Sequence, residues 1–259
     1  MPPVARSAAA ARRHALPRGG AGARAHAPRF TGAAVLALLA FLPLLAGCGA
    51  LGKIGAGSHS PPASAFTVSA RVTAVVVNGG SGSIDVTGSS RSTVSVSQRE
   101  TYSDKPPVAA HVLHGTTLTL SYQCPAELAC GVSYTVQVPA GVAVSVAAAT
   151  GAVTLTTLAG TVSARADAGL ITAVDLRSAV ASFKSHAGGI VAAFSAAPRS
   201  LTATTSVGPI TLTVPGSVSY RLSTHTVVGS STVTVRRSSS SAHSISASSD
   251  LGSISVSPS

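Results

Sequence analysis

From Phe66 to Ser259, apolar residues alternate with Ser and Thr at a period of two, in short runs broken by Gly, Pro or Ser. Residues 72–77, 84–86, 94–96, 118–122, 134–138 and 142–146 each read as a strand with one apolar and one hydroxyl face. No sustained helical stripe occurs in this region. The second half then repeats itself. A Gly followed two places later by a β-branched residue recurs as Gly151 with Val153, Gly169 with Ile171, Gly188 with Ile190 and Gly208 with Ile210, at intervals of 18, 19 and 20 residues. Outlying copies are Gly82 with Ile84, Gly252 with Ile254 and a longer-spaced Gly229 with Val233. A half-period echo appears at Gly160 with Val162 and at Ser178 with Val180. Such a period marks repeats that bury their apolar face only by stacking. The expected fold is all-β, a single-domain β-solenoid over 66–259. Each repeat would turn at a Gly and point small residues such as Ala173 and Ala192 into a narrow interior. Regular turn signals also fit an antiparallel β-sandwich, although a sandwich does not require Gly and Ile to recur in register.

The first 47 residues have a different character. Arg6, Arg12, Arg13, Arg18, Arg24 and Arg29 form a basic stretch without acids, followed by an apolar run at 33–46 that Pro43 interrupts. That run is shorter than the ~20 residues that cross a bilayer, so it reads as the apolar region of a secretory signal. His14, Ala15 and Leu16 follow Arg12 and Arg13 too loosely for a twin-arginine signal, and general secretion is expected. Leu45, Ala46, Gly47 and Cys48 resemble the lipobox of bacterial lipoproteins. The resemblance implies cleavage before Cys48, a diacylglyceryl group on its sulfur and stable membrane attachment, since more than one acyl chain is present. Residues 48–65, rich in Gly, Ala, Ser and Pro, then read as anchor and flexible tether.

Removing the signal changes the charge. The whole chain carries 18 Lys and Arg against 7 Asp and Glu, but six of the arginines precede Cys48, so the remainder carries 12 cations against the same 7 acids. The longest basic run there is Arg236 with Arg237, and aromatic residues are 3% of the chain, too few to stack on bases. Nucleic acid is therefore not an expected partner, whereas a mild positive balance suits anionic envelope polymers or headgroups.

Chemistry is sparse. Cys124 and Cys130, six apart between two strand-like runs, fit neither a CxxC redox motif nor a zinc spacing, and in an oxidising compartment are expected to form a disulfide. Among the scattered acids only Asp167 and Asp175 are placed to face each other, with Arg165 and Arg177 nearby, and surface ion pairing is the expected outcome. His111 and His114, three apart, should point to opposite faces of a strand, so no metal site is expected. No nucleophile elbow, phosphate loop or zinc-protease motif is present, and no cofactor or catalytic activity is expected. Thr-x-Thr recurs at Thr117, Thr154, Thr202, Thr211 and Thr232, a pattern resembling ice-binding arrays. Its uneven phase within the repeat predicts that the copies do not share one rank.

The VPAGV segment at 138–142, followed by TGAVTL, AGTVSA, AGLITA, GGIVAA and VGPITL, resembles the putative adhesin domains of bacterial envelope proteins, a family of unknown function. The resemblance covers 72–256 and implies a repetitive β fold on an anchored protein. The Asp that often follows Gly in that family is replaced here by Ala, Thr, Leu, Gly or Pro, which argues against a calcium-binding surface. The functional expectation is a non-catalytic surface module, anchored on the extracytoplasmic face of the membrane. It would meet a glycan, a cell-wall polymer or another protein. The alternative is a structural or regulatory envelope lipoprotein docking to a membrane partner in stress sensing, and polysaccharide cleavage ranks third. Cys48→Ala should release the protein from the membrane or leave it uncleaved, as read by fractionation and apparent mass; a membrane-bound product of mature size would refute the anchor.

Overall fold

Alternation becomes strand throughout the residues that the computed structural model describes, 58–125 and 129–259. The expected signal, the lipobox Leu45, Ala46, Gly47 and Cys48, and the front of the tether lie outside them. The described strands are β1 (Ser64–Val68), β2 (Ala74–Ser81), β3 (Ile84–Ser89), β4 (Val94–Tyr102), β5 (Val108–His114), β6 (Thr117–Gln123), β7 (Cys130–Pro139), β8 (Ala143–Thr150), β9 (Val153–Thr156), β10 (Val162–Ala168), β11 (Ile171–Leu176), β12 (Val180–Ala187), β13 (Ile190–Phe194), β14 (Ser200–Val207), β15 (Ile210–Val214), β16 (Arg221–Val228), β17 (Ser231–Val233), β18 (Ser244–Leu251) and β19 (Ile254–Pro258). They form two mixed sheets, and no helix occurs among the described residues. One sheet runs β1-β4-β7-β3-β9-β11-β13-β15-β19-β17 and the other β16-β18-β14-β12-β10-β8-β2-β6-β5. Antiparallel pairing is confined to β1 with β4, β4 with β7 and β5 with β6; the other ladders are parallel.

From β6 onward consecutive strands therefore alternate between sheets, and each pair makes one rung of a stack. The rungs meet at a glycine corner. Gly82, Gly151, Gly169, Gly188, Gly208, Gly252 and Gly229 all have positive φ, as at Gly188 (+149°). Each lies against the carbonyl of its neighbour, so that a Cβ on Gly208 would sit 2.5 Å from the oxygen of Gly188. Neither the backbone angle nor the space admits a side chain. The same corner passes hydrogen bonds along the stack: the Gly169 N–H donates to Ala187 O (2.9 Å), that of Gly188 to Val207 O (2.8 Å) and that of Gly208 to Leu251 O (2.8 Å).

Because the ladders are in register, like positions fall in columns. Ile84, Val153, Ile171, Ile190, Ile210 and Ile254 make one fully buried column, and Ala173 and Ala192 lie in the next. In the facing sheet Phe183 stands between Ala164 and Ala203, a large ring offset by small neighbours. One expected alignment shifts. Val180 registers with Ser200 while Val162 registers with Ala181, so Val180 is exposed and Ser178 is buried at the corner, its hydroxyl on Leu158 O (3.3 Å). A slip of one residue exchanges the two faces of a strand.

The stack does not follow chain order at its ends. β18 and β19 lie between β14/β15 and β16/β17, so the C-terminal segment is paired on both sides. At the other end β6 and β7 lie outside β2 and β3. The outermost C-terminal rung keeps Leu222 and Val233 against the core but is polar beside them: Ser231 occupies the isoleucine column and donates to Thr224 (2.9 Å), which occupies the Phe183 column. Terminal repeats need such a face because nothing covers them. Pairing also reaches into the expected tether, for His59 bridges Tyr102 and β1 starts at Ser64.

Gly188→Ala should destabilise the domain by about 3 kcal/mol through positive φ and collision with the Gly169 carbonyl. Gly141→Ala, with nothing within 4 Å of the new carbon, should change stability by less than about 0.5 kcal/mol. Urea unfolding of the two variants compares these costs, and equal costs would contradict the corner's role.

Candidate binding faces

Hydroxyl residues occupy two distinct places. Inside, one column beneath the glycine corner carries Ser185, Thr205, Ser249 and Thr226, which donate to the carbonyls of Gly169 (3.4 Å), Gly188 (2.9 Å), Gly208 (3.0 Å) and Gly252 (2.8 Å). These hydroxyls satisfy corner carbonyls; Ser185, Thr205 and Ser249 are fully buried and closed to any ligand, while Thr226 in the outermost rung is half-buried.

Outside, the same registers produce open ranks. On the outer face of the β16-to-β5 sheet, Thr119, Val76, Ser145, Ser163, Ser182, Thr202, Ser246 and Ser223 fall in one line, all but Val76 bearing a hydroxyl. On the other sheet Asp85, Thr154, Thr172, Val191, Thr211, Ser255 and Thr232 form a second line. As the phase of the Thr-x-Thr copies predicts, they do not share one rank, but they do stack in two: Thr154, Thr211 and Thr232 on one sheet, and Thr119 with Thr202 on the other. Unequal loops at the corner opposite the glycines absorb the uneven spacing in sequence. The ranks are invisible in a linear pattern because they depend on register between strands.

The other singled-out residues do not converge. Asp167 lies in β10 and Asp175 in β11, in opposite sheets, so no carboxylate pair forms. Asp167 instead pairs with Arg165 (3.0 Å), both well exposed, an interaction contributing little to stability. Asp175 adopts positive φ (53°), as does Thr157 (56°) at the matching corner. His111 stacks on Phe66 with ring centroids 4.1 Å apart, joining the edge strands β5 and β1. Cys124 and Cys130 form the disulfide, with Cα atoms 5.7 Å apart, and Cys130 lines a cleft of 520 Å³. Ser58, Ser81, Thr101, Tyr102 and Ser133 are among the residues lining that cleft, and the Tyr102 ring stacks on His59. The first rung is held by tyrosines: the Tyr122 hydroxyl donates to Ser81 O (2.9 Å) and that of Tyr134 to Ser121 O (3.1 Å). Burial, with Tyr122 and Glu100 nearby, pushes the Tyr134 hydroxyl up to about 12, so it remains a neutral donor.

No family model matches the chain, and no curated protein matches its sequence. Among solved structures, it is similar to a putative cell adhesion protein from Clostridium sporogenes ATCC 15579, at 14% identity and a TM-score of 0.42, over 77% of this chain and 100% of that one. It is also similar to a putative adhesin from Bacteroides fragilis NCTC 9343, at 12% identity and a TM-score of 0.46, over 76% of this chain and 97% of that one.

Proposed function

We propose that this chain is a non-catalytic binding module of the bacterial envelope, a β-solenoid anchored through Cys48 on the extracytoplasmic face of the membrane. Its outer ranks would meet a neutral glycan of the cell wall. The observation that carries this reading is the in-register line of hydroxyls from Thr119 to Ser223, broken only by Val76. Parallel strands set its members ~4.8 Å apart, and each hydroxyl both donates and accepts. One such contact is weak. A polymer that meets many at once gains by effective concentration. The lipobox supplies the anchor in this account, and the disulfide suits an oxidising compartment.

A second reading, docking to a membrane protein, has its own support. Val207, Leu251 and Val228 form an adjoining column beside the glycine corner and are each about half exposed. Past its start, where 236–238 lie against Tyr220, β16 also presents a sheet edge for strand addition.

Retention of the full chain on purified cell wall and on solubilised membrane separates the readings. Retention on wall, reduced at least about fivefold by Ser182→Glu with Thr202→Glu, is the expected result. Capture of one discrete membrane protein, with no retention on wall, would replace it by the docking account. Retention by neither would refute both.

A further inference from the structure

Charge is divided unevenly along the stack. Residues 58–176 contain five Lys and Arg and six Asp and Glu, whereas residues 177–259 contain six cations (Arg177, Lys184, Arg199, Arg221, Arg236 and Arg237) and one acid, Asp250. The excess positive charge thus lies at the C-terminal end. There a cleft of 260 Å³ is lined by Tyr220, Arg221, Leu222, Arg237, Ser238 and Ser239.

The cleft is built on fixed backbone. Tyr220 is fully buried, and its hydroxyl donates to Pro215 O (2.9 Å). The Tyr220 N–H donates to Arg236 O (2.9 Å), and the Ser238 N–H donates back to Tyr220 O (3.0 Å), which holds 220–222 beside 237–239. Arg236 is engaged through Nη2 with Gly216 O (2.8 Å). Arg221 and Arg237 have no side-chain hydrogen bond or ion pair among the described residues. Asp250 does not offset them: Arg221 registers with Ser244, which puts Asp250 six residues, or roughly 20 Å, along the neighbouring strand.

We infer that this cleft binds the phosphate of a phosphodiester-linked anionic polymer. Two guanidinium groups supply forked donors that match phosphate oxygens, and the hydroxyls of Ser238 and Ser239 supply more. An extended polymer, with one charge per repeat, is also drawn to Arg199 and Arg177 on the same part of the chain. A polymer is preferred to a lipid surface because Arg177 and Arg199 continue the positive charge beyond the cleft, as an extended ligand requires.

The test measures equilibrium binding of the full chain to poly(glycerol phosphate), to neutral dextran and to phosphatidylglycerol vesicles, at low and physiological salt. Binding to poly(glycerol phosphate) that weakens with salt is expected, and Arg221→Gln with Arg237→Gln should lower affinity about tenfold. The charge-matched pair Arg71→Gln with Arg91→Gln, exposed residues near the first rungs, should lower it less than about twofold. Thermal unfolding of both pairs should match wild type. Equal losses from the two pairs, absence of binding, or binding to vesicles without binding to the polymer would each overturn the inference. Retention on neutral wall glycan should survive the Arg221 and Arg237 changes, so this cleft and the hydroxyl ranks fail separately.

Discussion

The close approach of one glycine α-carbon to the carbonyl of the next organises this structure. At each rung the chain leaves one sheet through a corner with positive φ and enters the other, and the corner of the adjacent rung lies directly against it. A side chain at that point would separate the rungs and break the hydrogen bonds passed from Gly169, Gly188 and Gly208 to their neighbours. With the corner held, the isoleucine two residues later falls over the isoleucine below, and the column is fully buried. The hydroxyls of Ser185, Thr205, Ser249 and Thr226 complete the corner by accepting the task of satisfying its carbonyls.

The outer surface follows from the same register. Once inward positions are stacked, outward positions stack too, and a sequence rich in Ser and Thr becomes parallel lines of hydroxyls. No enzyme-like convergence of acids, histidines or nucleophiles accompanies them among the described residues. What the surface offers is repetition, which suits a repetitive ligand. The proposed phosphate cleft adds a different chemistry at one end, where the positive charge of the described chain is gathered.

Much of this was legible in the sequence. Period-two alternation located the strands, and the recurrent Gly with Ile placed the rungs from Gly151 to Gly208. Three features were not legible, each because it depends on pairing across the stack. Val180 imitates the half-period pattern, yet the burial of Ser178 sets the register one residue away. The Thr-x-Thr copies look out of phase along the chain, and they fall into two ranks, one on each sheet. The exchanged order of the last two rungs leaves a trace whose meaning depends on the stacking. Gly252 is followed by Ile254, as an interior rung requires, whereas Gly229 is followed by Ser231, which suits an uncovered end.

The exchanged order is also where the account of register is most exposed to test. Thr202 stands directly beside Ser246 in the stack, with Ser223 one rung beyond. Mild oxidation of the full chain carrying Thr202→Cys and Ser246→Cys should form a new disulfide, because adjacent strands lie ~4.8 Å apart, within the span such a bond bridges. The pair Thr202→Cys and Ser223→Cys, about twice as far apart, should stay reduced. A bond in the second pair and none in the first would show the rungs stacked in chain order and contradict the structure described.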